Sequence, residues 1–128
     1  MFYVYDHPVV AADIESSPHE ETMQLGAGVI HQVDVLFQTG CNHLAHVQIF
    51  LGGYQLWPSN RGKTMRGNAT VVSFREFLEL KPGDSTLTGL IWGDGNDLAE
   101  IIIQIGMLPK RILQPLSFDE LLSAASGM

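Results

Sequence analysis

The segment 29–37, Val-Ile-His-Gln-Val-Asp-Val-Leu-Phe, limits this chain more than any other feature. Val29, His31, Val33, Val35 and Phe37 share one parity, and Gln32 and Asp34 share the other. An apolar residue at every second position suits a strand buried on one face, because successive side chains of a strand point to opposite sides. A helix would scatter the same residues around its circumference. His31 is placed by this pattern on the apolar face, as a core histidine bonded to a backbone carbonyl.

The same grammar recurs along the chain. Residues 2–5 (Phe-Tyr-Val-Tyr) have high strand propensity, and 15–21 (Glu-Ser-Ser-Pro-His-Glu-Glu) read as a polar loop. Residues 44–51 form a second strand with Ala45, Val47, Ile49 and Leu51 inward, broken by Gly52-Gly53 before a short strand at 54–57. Residues 59–68 are polar and read as an exposed loop, and 69–80 resume the strand pattern with a kink near Ser73. Lys81-Pro82-Gly83-Asp84 is a turn, and segments 86–92 and 98–106 flank Gly93-Asp94-Gly95-Asn96-Asp97, which reads as a hairpin tip. Helical grammar enters only with Ser117 and Glu120, a capping box ahead of Leu121-Leu122.

These signals predict an all-β antiparallel sandwich or jelly roll of about seven or eight strands. The 128 residues fit one domain: an extended arm and loop at 1–21, a β core at 22–108, and a connector with a short helix at 109–128. Alternating βα units, which would make a doubly wound fold, do not occur.

Charge narrows the function. Fourteen acidic residues against seven basic ones give a net charge of −7, so phosphate backbones are repelled and nucleic acid is not expected as the main partner. Charged residues are only 16% of the chain, against roughly a quarter in most domains, which leaves apolar surface for contacts with other subunits. The N-terminus has no basic n-region, and no run approaches the ~18 apolar residues of a bilayer span. With Cys41 as its lone cysteine, the chain is expected in a reducing cytoplasm rather than an oxidising compartment.

Three constellations bear on chemistry. Cys41, His43 and His46 place three metal-ligand types within six residues. On a strand, however, positions 43 and 46 face opposite ways, and no carboxylate lies close by to orient the rings. The expectation is therefore no bound metal and no cofactor. Glu76 and Glu79, three apart on a strand, likewise face opposite ways and do not form a catalytic carboxylate pair. No nucleophile–base–acid set, P-loop or dinucleotide fingerprint is visible, so no enzymatic activity is expected. The third constellation is a recognition patch: Tyr54 and Trp57 beside Asn60, Arg61, Lys63 and Arg66.

The run Gly28-Val29-Ile30-His31-x-Val33-x-Val35-x-Phe37-x-x-Gly40, followed by Val47-x-Ile49, Leu56-x-Pro58-Ser59 and Ile91-Trp92, resembles small β-sandwich accessory proteins of tailed-phage particles. That resemblance spans about 22–108 and implies a decorating, portal-associated or tail-associated virion subunit that contacts copies of itself and other structural subunits. It carries over no functional residue. Two further readings stand beside it: a carbohydrate- or protein-binding module using the 54–66 loop, and a cupin-like metalloprotein using Cys41, His43 and His46.

Overall fold

The computed structural model describes residues 1–109. The described residues form eight strands: β1 (Phe2–Pro8), β2 (His19–Gln24), β3 (Gly28–Phe37), β4 (His46–Leu51), β5 (Tyr54–Trp57), β6 (Thr70–Leu80), β7 (Thr86–Trp92) and β8 (Glu100–Leu108). They form two four-stranded sheets of order β1-β8-β3-β6 and β2-β7-β4-β5, with every neighbouring pair antiparallel. The pairing is nested: first with eighth, second with seventh, third with sixth and fourth with fifth. The expected all-β, two-layered architecture is present. The expected connector and helix at 109–128 lie outside the described residues, apart from Pro109.

One core joins the sheets. Val33, Val35 and Phe37 of β3 stand beside Ile105, Ile103 and Ile101 of β8. They pack with Val47 and Ile49 of β4, Leu87 and Ile91 of β7, and Met23 of β2 into a single buried cluster. Each of these residues is essentially sealed from solvent, and each large aliphatic group so buried contributes about 1.5–3 kcal/mol of hydrophobic stabilisation.

Several sequence expectations are corrected. Residues 2–8 are not a free arm but an edge strand, aligned with β8 from Phe2 opposite Gly106 to Pro8 opposite Glu100. Proline is tolerated there because an edge strand has a side with no ladder to maintain. Residues 19–21 are not loop but the start of β2, another edge strand, whose polar Glu20 and Thr22 face solvent. The segment 93–99 is not a hairpin tip, because β7 and β8 belong to different sheets and the loop crosses between them. It is tied back by Gly93 N–H to Asp13 O (2.9 Å), Leu98 N–H to Val9 O (2.9 Å) and Ala11 N–H to Asp97 Oδ1 (2.8 Å).

The irregularity expected at Ser73 falls further along β6, at Glu76 and Phe77, and on β3 opposite them. Between Ile30 and Gln32 the register slips against both neighbours. Against β8, His31 is an extra residue in a bulge, which lets Ile30 and Val33 both face the core although their numbers differ by three. Against β6 the extra residue is on β6, where Glu76 and Phe77 stand opposite His31. Half-buried rather than internal, His31 stands over Gly106, where an added Cβ would lie 3.0 Å from its Nε2.

Two glycines give opposite tests of this backbone. Gly28 opens β3 at φ +154°, and a Cβ there would sit 2.7 Å from the Leu108 carbonyl oxygen. Gly53 has nothing within 4 Å. Gly28→Ala is expected to cost at least about 2 kcal/mol in denaturant unfolding, and Gly53→Ala to stay within about 0.5 kcal/mol.

Candidate functional site

The outer face of β4 and β7 is the floor of a groove of about 470 Å³, formed by His46, Gln48, Leu90 and Trp92. Its walls are the loop at Gly62–Thr64 with Arg66 on one side and Glu15 with Pro18 on the other. His46 and Trp92 are direct cross-strand partners, and their rings stack with centroids 5.3 Å apart and planes within 6°. His46 Nδ1 lies 2.7 Å from Thr64 Oγ1, which ties the groove floor to its wall.

Two buried glutamines hold the overhanging loop in place. Gln48 Nε2 donates to Lys63 O (3.0 Å), and Gln55 Nε2 donates to Pro58 O (2.7 Å) and Lys63 O (3.2 Å). Gly62 N–H closes the clamp on Gln55 Oε1 at 3.2 Å, while Met65 and Val47 exchange backbone bonds. A polar loop with its carbonyls satisfied by buried amides is ordered before any ligand arrives.

The residues of the sequence-level recognition patch are distributed by this arrangement. Tyr54, Asn60, Arg61, Lys63 and Arg66 are exposed, and the Arg61 guanidinium stands 5.0 Å from the Tyr54 ring centroid in a cation–π contact. Lys63 and Arg66 line the groove, whereas Tyr54 and Arg61 do not. Trp57 is separated from them. Its indole is buried in the core against Phe74, ring centroids 5.5 Å apart, and its Nε1–H donates to Glu76 Oε1 across the sheets at 3.0 Å. Glu76 thus turns into the gap between the sheets and Glu79 outward, facing opposite ways as the strand period requires.

Cys41, His43 and His46 are not brought together as a ligand set. Cys41 is fully buried, with Sγ 3.8 Å from Ala99 O. Burial pushes its thiol pKa up, more strongly than the backbone contacts of Gln38 and Ala99 pull it down. His43, at φ +59°, is held in an exposed turn by its N–H bond to Gly67 O (3.1 Å) and by Asn68 Oδ1, which accepts from Gly40 N–H and Asn42 N–H. Burial lowers the pKa of His46, with Arg66 adding to the effect and Glu15 opposing it.

A different cluster was not legible in the sequence. On the inner faces of the edge strands β1 and β2, His7 and His19 stack with centroids 3.5 Å apart and planes within 2°. Asp13 Oδ2 is 2.7 Å from His7 Nε2, and Glu21 Oε1 is 3.1 Å from His19 Nε2. Burial alone would raise the Asp13 pKa, but the His7 bond, the Val10 N–H and the electrostatic influence of His7 and His19 outweigh it and hold the carboxyl below its ordinary value. The only hint was the alternation of Tyr3, Tyr5 and His7 along the first strand.

No family model matches the sequence, and no curated protein or solved structure matches it. Among the described residues, no helix is long and apolar enough to cross a membrane.

Two outcomes check these environments. Native protein is expected to resist alkylation of Cys41 at neutral pH and to react stoichiometrically once unfolded, as counted by mass spectrometry. His46 gains its proton less readily folded than unfolded, so its contribution to stability is complete above the unfolded pKa near 6.5 and is lost as pH falls below it. Denaturant midpoints of His46→Gln measured from pH 7.5 to 5 are therefore expected to decline less steeply than those of the parent.

Proposed function

We propose that this protein is a non-enzymatic structural subunit that works by packing against copies of itself and neighbouring subunits, in a virus particle or comparable assembly, through the outer face of the β1-β8-β3-β6 sheet. The nested strand pairing follows the winding of a jelly roll, a fold widely used for capsid subunits. The observation that carries the reading is the position of the exposed apolar groups. Phe2 and Val4 on one edge strand are 59% and 54% exposed, and Val71 and Phe77 on the other are 51% and 62% exposed. Val71, Leu36 and Ile102 are register partners across three strands, giving an apolar row on the solvent side.

Beside that row, a depression lined by Leu36, Phe37, Thr39 and Val71 offers a recess for a partner side chain. The first half of β6, Thr-Val-Val-Ser-Phe, carries no charge, and an uncharged edge strand is open to pairing with another chain. The titratable groups support a structural reading as well, since the Cys41 thiol is sealed in the core and His46 is committed to Thr64 and Trp92.

Light scattering on the full chain tests this. The expected result is an oligomer at micromolar concentration that falls to monomer in Val71→Asp/Phe77→Asp while far-UV circular dichroism stays unchanged. A parent chain that stays monomeric removes self-association. A second reading is favoured by the groove under the 58–66 loop, where Lys63 and Arg66 line a recess floored by Trp92 and suit an anionic ligand such as an acidic sugar. Under that reading, Lys63→Ala/Arg66→Ala abolishes binding of acidic glycans and leaves the oligomeric mass unchanged.

A further inference from the structure

We propose that His7, Asp13 and His19 form a binding site for one divalent transition-metal ion, Zn²⁺ best of all, which staples β1 to β2 across the open side of the sandwich. Each residue offers one ligand atom, and these atoms all lie within 4.8 Å of one another. A tetrahedral zinc ion holds ligand atoms about 3.3 Å apart, close to their present spacing, and a turn of one stacked imidazole brings both ring lone pairs onto the ion. Two imidazole nitrogens and a carboxylate oxygen suit zinc and its transition-metal neighbours rather than calcium or magnesium, which prefer oxygen alone.

The three ligands arrive from three elements that the backbone fixes independently. His7 is aligned with Ile101 of β8, and His19 with Ile91 of β7. Asp13 is locked in a turn by its N–H to Val10 O (2.9 Å) and by Gly93 N–H to its own carbonyl (2.9 Å). Its Oδ2 also accepts Val10 N–H at 3.1 Å, an outer-shell contact that orients a ligand. The side chains of His7 and Asp13 are only 16% and 12% exposed, and that of His19 is 30% exposed, leaving an entry route on the β2 side. Glu21, in contact with His19, stands where it can orient the ring or supply a fourth oxygen.

A salt-bridged cluster accounts for each carboxylate–histidine contact. What an ion adds is one centre shared by both rings, which stand face to face 3.5 Å apart and turn out of that stack to aim both Nε2 atoms at it. A bound ion would also favour closure of the end of this edge where titratable groups replace apolar ones, since beyond Met23 the inward residues are His7 against Glu21 and His19.

The test uses full-length protein freed of metal by a chelator and titrated with ZnCl₂. Calorimetry is expected to show one ion per chain with micromolar or tighter affinity, and the melting temperature to rise by roughly 5–15 °C with zinc in hundredfold excess over Kd. Histidine ring ¹⁵N spectra should shift for His7 and His19 and stay in place for His31, His43 and His46. Asp13→Asn should weaken binding about 10- to 100-fold and His7→Gln/His19→Gln abolish it, while His43→Gln/His46→Gln binds as the parent does. Absence of saturable binding, binding unchanged in His7→Gln/His19→Gln, or ring shifts confined to His31, His43 or His46 would each overturn the assignment. The ring spectra are read on the parent protein, so they decide the matter even where a variant fails to fold.

Discussion

Two four-stranded sheets laid face to face have two open sides, and how those sides are closed governs most of what is specific to this protein. The middle of the sandwich is ordinary packing, with the isoleucines of β8 and the valines of β3 meeting β4 and β7. At the sides, the inward residues of the edge strands have core on one flank and water on the other. Aromatic and titratable groups fill that role because they join an apolar body to a polar tip. On one side Trp57 reaches Glu76. On the other, Tyr5 Oη donates to the Gln24 carbonyl at 3.0 Å, and the histidine pair lies beyond it. The side chains with the most distinctive chemistry are therefore those that seal the two flanks.

The two faces of the sandwich divide their labour differently. The outer surface of β4 and β7 is covered by the clamped 58–66 loop, whose amide network leaves a polar groove of fixed shape. The outer surface of β1-β8-β3-β6 has no such cover among the described residues and combines apolar rows with a small polar patch. In that patch Gln32 Nε2 donates to Asp34 Oδ1 and Ser73 Oγ at 3.0 and 2.8 Å, and Ser73 Oγ–H donates to Asp34. Patches of this mixed kind, apolar with a few satisfied polar groups, give register as well as affinity when another surface packs on them.

Much of the strand content was legible in the sequence, because a buried strand declares itself through alternation. Val33-Asp34-Val35 and Ala45 to Leu51 are examples. What remained hidden follows from the limits of that signal. The second strand, His-Glu-Glu-Thr-Met-Gln, was unreadable because it lies at an edge, where one inward methionine is enough. The bulge at His31 was unreadable because a register slip depends on partners seventy residues away. Trp57 and the His7–Asp13–His19 cluster were missed for a shared reason: each depends on contacts across the gap between sheets. The separation of β7 from β8 was missed because a Gly/Asp-rich loop is equally suited to a hairpin and to a crossover.

The nested pairing also imposes an order on how the chain can assemble. Only β4 and β5 are joined by a two-residue turn, with Gly52 at φ +60°, so that hairpin closes the shortest loop and carries the smallest entropic penalty. Each further layer of the nest encloses a longer loop: β3 with β6, β2 with β7, and finally β1 with β8, where Phe2 meets Gly106. Of the eight described strands, the one made first thus pairs with the one made last. Until β8 has been made, Phe2, Val4 and the rest of β1 have no ladder to join, and a nascent chain must carry that strand unpaired while β2 to β7 are made.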